Sequence, residues 1–245
     1  MNTLDQALNY PYAQYDGHFL YINGKSTPIS PPPGAPQAML LNILDLHDLF
    51  HRRNITMEPP EHWVSLISFG SNRSPSRLAQ KFPRNVPIIS LTAQLKGFDV
   101  VRSAHFTSYG TLPATLISAP KTSVQVSLQW LPQAKIEAMH RSEAAGRNYL
   151  FSQVPAGHLK LEDGSTLSAW TYQSIHGPLY WNGGPQAFES IVAKDRNLPQ
   201  CTQEKLLRNI HDSWNISQKF EDWLIDLSHD ESLRQEATQR LKTTN

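Results

Sequence analysis

The chain has 245 residues, 39% of them hydrophobic and 18% charged, a balance that suits a globular protein and excludes a disordered one. Lys plus Arg number 22 against 21 for Asp plus Glu, so net charge makes no case for a nucleic-acid partner. No apolar run reaches membrane-spanning length, the first residues lack a signal peptide's basic and apolar regions, and the single cysteine, Cys201, excludes an internal disulfide framework; a cytoplasmic protein with no membrane partner is expected.

In chain order, Phe19-Leu20-Tyr21-Ile22 followed by Asn23-Gly24 predicts a short hairpin. The run Ser30-Pro31-Pro32-Pro33-Gly34-Ala35-Pro36 can continue neither a helix nor a central strand and reads as a linker or extended arm. Residues 38–52 offer an amphipathic helix with Leu40, Ile43, Leu44 and Phe50 near one face, and Glu58-Pro59-Pro60-Glu61 breaks the chain again. On that helix His47 and His51 stand four apart around Asp48, an echo of zinc-binding His-Glu-x-x-His. The short aspartate and the missing third ligand make a solvated or partly packed pair the expectation, with no metal. The sequons at Asn54, Asn72 and Asn215 carry little weight in a cytoplasmic protein.

From Trp63 to Tyr172 the pattern turns to short strands, over 63–69, 86–93, 98–102, 112–118, 124–130, 150–154 and 167–172, interrupted by a helix over 132–145. The remainder is mostly helical. Leu206, Leu207, Ile210 and Trp214 share one face, as do Phe220, Trp223, Leu224 and Leu227, and Ser228 with Glu231 reads as a capping box opening a last helix. Trp181, Trp214 and Trp223 read as packing, Cys201 as a structural residue in a turn, and His105, His140, His158 and His176 show no ligand spacing. Three segments follow: an N-terminal arm with its linker and helix over 1–60, a core over 61–178, and a helical extension over 179–245.

Two stretches carry chemistry. Val64-Ser65-Leu66-Ile67-Ser68-Phe69 reads as a buried strand entering the turn Gly70-Ser71-Asn72, where Gly70 allows backbone angles closed to other residues. A helix begins shortly after, at Ser76-Arg77-Leu78, so several N–H groups of the turn would converge on a carboxylate or an oxyanion. The helix over 132–145 opens on Pro132 and ends before Gly146, and its apolar stripe Ile136, Met139, His140 continues into Glu143. A desolvated carboxylate there would have a pKa raised above about 4.3, towards the range useful for general acid–base work. No nucleophile elbow, phosphate-binding glycine loop or dinucleotide fingerprint is present.

Together, Phe69-Gly70-Ser71-Asn72, Glu143 and Tyr149 resemble the γ-glutamylcyclotransferase-like superfamily, whose first strand ends in Tyr-Gly-Ser-Asn and whose catalytic Glu precedes a Gly and a Tyr. Leu95-Lys96-Gly97-Phe98 resembles the family's second-strand turn, and Leu112-Pro113-Ala114-Thr115-Leu116 and Val124-Gln125-Val126-Ser127-Leu128 resemble two of its strands, so the likeness covers about residues 63–173. Phe69 stands where the family has Tyr, and Ala144 where it has Gly. The resemblance implies a mixed α/β fold with a small β-barrel-like core and packed helices, to which the periodicity adds the C-terminal helical extension. It also implies conversion of a γ-glutamyl amine or peptide to 5-oxoproline and a free amine without a cofactor. Glu143 would be the catalytic acid/base, and Phe69, Gly70, Ser71, Asn72, Arg73, Ser74 and Tyr149 would bind the substrate. A binding protein without turnover on the same fold, or cleavage of another amide, are the alternatives, and the leaving amine and oligomeric state are not specified.

Overall fold

The computed structural model describes residues 2–30, 51, 62–82, 86–161, 164 and 166–243. The proline run 31–36, the helix expected over 38–52 (His51 apart) with His47, the Asn54 sequon and the 58–61 break lie outside these residues. The chain opens on α1 (Thr3–Leu8), where the Asn2 side chain accepts the Asp5 N–H at 2.7 Å. Asn23 and Gly24 both take positive φ, 54° and 74°, the backbone of a tight hairpin turn, and they join β1 (Phe19–Ile22) to β2 (Lys25–Pro28) as expected. Then come β3 (Trp63–Ser68), a 3-10 turn at Ser71–Arg73, α2 (Pro75–Lys81), β4 (Ile88–Arg102) and β5 (Ala114–Pro132). A second 3-10 turn at Gln133–Lys135 leads into α3 (Ile136–Ser142), followed by β6 (Tyr149–Lys160) and β7 (Thr166–Ser174). Two-residue strands β8 (Tyr180–Trp181), β9 (Gly184–Pro185), β10 (Ala187–Phe188), β11 (Ala193–Lys194) and β12 (Gln200–Cys201) precede α4 (Gln203–Ser213), α5 (Phe220–His229) and α6 (Glu231–Thr243).

Strands β5, β3, β7, β6 and β4 pair in that order and β4 pairs back with β5, closing a five-stranded barrel. β3 runs antiparallel to β5 and parallel to β7, so the fold is mixed α/β around a barrel, as the sequence implied.

Several elements differ from expectation. The strands expected over 86–93 and 98–102 are one strand, β4, in which Gly97 takes φ 79°, a left-handed geometry that costs glycine little. Those expected over 112–118 and 124–130 are likewise one strand, β5, running through the exposed Pro120 and Lys121. The helix expected over 132–145 is shorter: Pro132 ends β5, and α3 stops at Ser142. Cys201 lies in β12 rather than in a turn. At the last helix it is Asp230, not Ser228, that caps, its Oδ1 accepting from Ser232 N and Leu233 N at 2.8 and 3.1 Å. The Ser228 hydroxyl is spent on Ile225 O at 2.6 Å, inside α5.

The chain forms two compact units, residues 14–96 with 125–173, and residues 1–13 with 97–124 and 174–245. In the first, Leu66 of β3, Leu78 of α2, Leu131 of β5, Ile136 and Met139 of α3 and Tyr172 of β7 share one buried cluster with Phe19 and Tyr21. This unit carries both the glycine turn and Glu143. In the second, the faces read from helical spacing (Leu206, Leu207, Ile210, Phe220, Trp223, Leu224, Leu227) meet in one cluster that includes Trp181 and Trp214. The loop 191–199 is held there by Arg196, whose Nη1 donates to Phe188 O and Ile191 O at 2.9 Å each and whose other nitrogens bind Asp99.

Candidate active site

Strand β3 delivers the buried Phe69 and Gly70 to the turn. Gly70 has φ −115° and ψ −134°, so it does not lie in the left-handed region. The Arg73 N–H donates to Gly70 O at 3.1 Å and the Ser74 N–H to Ser71 O at 2.9 Å, so these two amides are used within the turn. Those of Ser71 and Asn72 open the 3-10 helix, where the first N–H groups have no partner inside the helix. A fully buried side chain from β5 fixes the turn from below: Gln129 Nε2 donates to Asn72 O at 2.9 Å while its Oε1 accepts the Ser68 hydroxyl at 2.7 Å.

Arg73, expected at the substrate, is buried; its Nε donates to Ser127 Oγ and its Nη1 to Gln125 O, both at 3.2 Å. Burial lowers its pKa to about 10. The Ser74 hydroxyl lies 2.9 Å from that of Ser76 at the start of α2, and Tyr149 is buried in the cluster of Ile136 and Met139.

Helix α3 buries Ile136 and Met139 and is capped by Glu143, whose N–H still donates to Met139 O at 3.0 Å. Glu143 therefore leaves the helix with its side chain directed at the turn 71 residues earlier in sequence, where its Oε1 accepts from Asn72 Nδ2 at 3.1 Å. Lys81, the last residue of α2, completes a triangle: its Nζ donates to Glu143 Oε1 and to Asn72 Oδ1, the latter at 2.6 Å. Chemistry fixes the direction of the Asn72 carboxamide, because an ammonium only donates and a carboxylate only accepts. The Lys81 and Glu143 side chains are 10% and 15% exposed, so the pair is largely desolvated and still reachable.

This pairing corrects the expected pKa. Burial does push the Glu143 carboxyl up, but the Lys81 ammonium, through charge and hydrogen bond, together with the Asn72 amide and the Arg77 charge, outweighs it and leaves Glu143 below the ordinary carboxylate value. Beside it, His140 Nδ1 lies 2.7 Å from the Tyr172 hydroxyl, whose pKa is raised by burial and by the negative charges of Glu143 and Glu137. Phe151 stacks on Trp170 with centroids 4.6 Å apart and meets the His140 ring edge-on at 4.8 Å. Lys81 and Gln129 are absent from the sequence-based site. Lys81 falls in the helix that the sequence starts at Ser76 and Gln129 in the strand expected over 124–130, with no role assigned to either.

Among the described residues no three His, Cys, Asp or Glu side chains are grouped to hold a metal ion. His105 and His176 stack at 4.3 Å in the helical unit, and burial lowers the His105 pKa to about 3. No helix of the described residues is long and apolar enough to cross a membrane.

Comparison with known proteins adds likeness of structure. The chain resembles a gamma-glutamyl cyclotransferase. The match has 13% identity and a TM-score of 0.40, covering 72% of this chain and 99% of that one. The human uncharacterized protein loc79017 is similar at 13% identity and a TM-score of 0.41, over 74% and 99% of the two chains. At5g39720.1 from Arabidopsis thaliana is similar at 18% identity and a TM-score of 0.36, over 64% and 89%. No family model and no curated protein matches the chain.

Proposed function

We propose that the chain is a cyclotransferase that converts a γ-glutamyl amine or peptide to 5-oxoproline and a free amine, with Glu143 as general acid and base. The observation that carries this reading is the 3.1 Å hydrogen bond between Asn72 of the glycine turn and Glu143, which joins the two stretches singled out in the sequence. A substrate α-amine has a pKa of about 8 and is mostly protonated near neutral pH, so a base beside it is needed before it can attack. Glu143 takes that proton. The α-nitrogen then forms a bond to the γ-carbonyl carbon and the carbon's bond to the leaving nitrogen breaks. The second proton shed by the α-nitrogen also passes through Glu143, and both finish on the departing amine as an ammonium group. The Ser71 and Asn72 N–H groups at the start of the 3-10 turn suit the oxyanion that develops on the γ-oxygen. Ring closure within one molecule leaves much of the catalysis to orientation.

A binding role without turnover is the second reading. The Lys81–Glu143 pair favours it, because a carboxylate held below its usual pKa is a weaker base. Release of 5-oxoproline from a panel of γ-glutamyl amides and dipeptides separates the two. Glu143→Gln is expected to keep its fold and lose about 10²- to 10⁴-fold in kcat/KM. Turnover unchanged in that variant removes Glu143 from the mechanism. A folded wild-type protein that cyclises no member of the panel leaves the binding role.

A further inference from the structure

The Lys81–Glu143 pair does not exhaust its own hydrogen-bonding capacity. Lys81 Nζ has three N–H groups and spends two, on Asn72 Oδ1 and Glu143 Oε1. Glu143 Oε1 takes both incoming bonds, and its Oε2 accepts none from the described residues. A spare ammonium proton and a spare carboxylate oxygen thus belong to two groups in direct contact, each partly exposed.

A ligand that answers both charges as well as both hydrogen bonds brings an anion and a cation a bond or two apart. A lone carboxylate would meet Lys81 but be repelled by Glu143, and a lone amine would meet Glu143 but be repelled by Lys81. An α-amino-acid head group, with ammonium and carboxylate on one carbon, is the charge-reversed image of the pair. Arg77, whose positive charge also acts on Glu143, helps the site to accept the additional anion.

We propose that Lys81 and Glu143 together read the zwitterionic head group of the substrate, Lys81 binding its α-carboxylate while Glu143 receives its α-ammonium. This deepens the cyclotransferase reading and, as a statement about substrate class, rests on it. It makes Lys81 a specificity-determining residue and requires an unmodified α-carboxylate.

The test compares L-γ-glutamyl-L-alanine with the same dipeptide carrying a carboxamide in place of the glutamyl α-carboxylate, in wild type, Lys81→Met and Lys81→Arg. Wild type is expected to prefer the carboxylate. Lys81→Met is expected to lose about ten- to a hundredfold more kcat/KM on the carboxylate than on the carboxamide, the scale of one charge-assisted hydrogen bond, and Lys81→Arg to keep most of the preference. Equal losses on both compounds, or no preference in wild type, overturn the assignment. Should Lys81→Met not fold, Lys81→Gln is read by the same criterion. If wild type cyclises neither compound, the cyclotransferase reading falls, and calorimetric affinities for the two compounds decide the head-group assignment. Tighter wild-type binding of the zwitterion, lost in Lys81→Met, upholds it; equal affinities or no binding overturn it.

Discussion

Each unit buries a carboxylate against a cation, and the two pairs differ in what is left over. In the helical unit Asp99 is fully buried; its Oδ1 accepts from Arg196 Nη2 and Val100 N, both at 2.7 Å, and its Oδ2 from Arg196 Nε at 2.8 Å. Both oxygens are engaged, the guanidinium binds as a fork, and the pair closes the loop 191–199. In the other unit Glu143 engages one oxygen, its partner is a lysine with a proton to spare, and both side chains remain partly exposed. A saturated carboxylate holds a fold together. One that is half saturated and reachable is equipped to exchange partners.

Breaking the two pairs should therefore have opposite consequences. Arg196→Met strands a buried Asp99 and is expected to cost about 3–5 kcal/mol in urea denaturation, with no direct effect on the Glu143 site. A loss below about 1 kcal/mol would erase the distinction. Glu143→Gln removes the charge but leaves an amide oxygen for Lys81, and should cost only about 1–2 kcal/mol while removing turnover. The acid behaviour sharpens the point. Because the folded pKa of Glu143 is depressed, its stabilising contribution is complete above the ordinary carboxylate pKa and is lost as pH falls through the depressed folded value. The stability gap between wild type and Glu143→Gln, followed by denaturation from pH 7 downward, should hold steady and then close below the ordinary carboxylate range. A gap that widens on acidification would mean that Glu143 is raised instead. The smallest effect is at Ala144, which takes φ 48° directly after Glu143. Ala144→Gly relieves that strain and is expected to gain about 0.5–1 kcal/mol after the glycine's added chain entropy is counted, read as a rise in the denaturation midpoint.

How much of this was legible depends on distance along the chain. The β1–β2 hairpin, the entry of β3 into its turn and the apolar faces of α4 and α5 follow from neighbours a few residues apart, and all are present. The stripe from Ile136 to Glu143 was legible for the same reason, and it located the carboxylate although α3 itself ends one residue earlier. Lys96-Gly97 and Pro120-Lys121 read as breaks because glycine and proline usually are. The barrel nevertheless carries β4 and β5 through them, and that pairing is a long-range outcome. The sign of the Glu143 shift was misread for a related reason. Desolvation can be foreseen from an apolar face, but the ammonium that outweighs it comes from Lys81, 62 residues away. Gln129 escaped notice because a buried amide in a strand gives no periodic signal.

The ends of α2 and α3 carry one more consequence. Lys81 is the last residue of α2 and Glu143 caps the C-terminus of α3, and the two helices touch. Each charge therefore sits at the carbonyl end of its own helix, which favours a cation and opposes an anion by about 0.3–1 kcal/mol. Lys81 suits the end of α2, whereas Glu143 stands against the end of α3 and relies on Lys81 and Asn72 to stay ionised there. The helix end is thus a fixed bias towards the protonated carboxyl, present whether or not a ligand is bound.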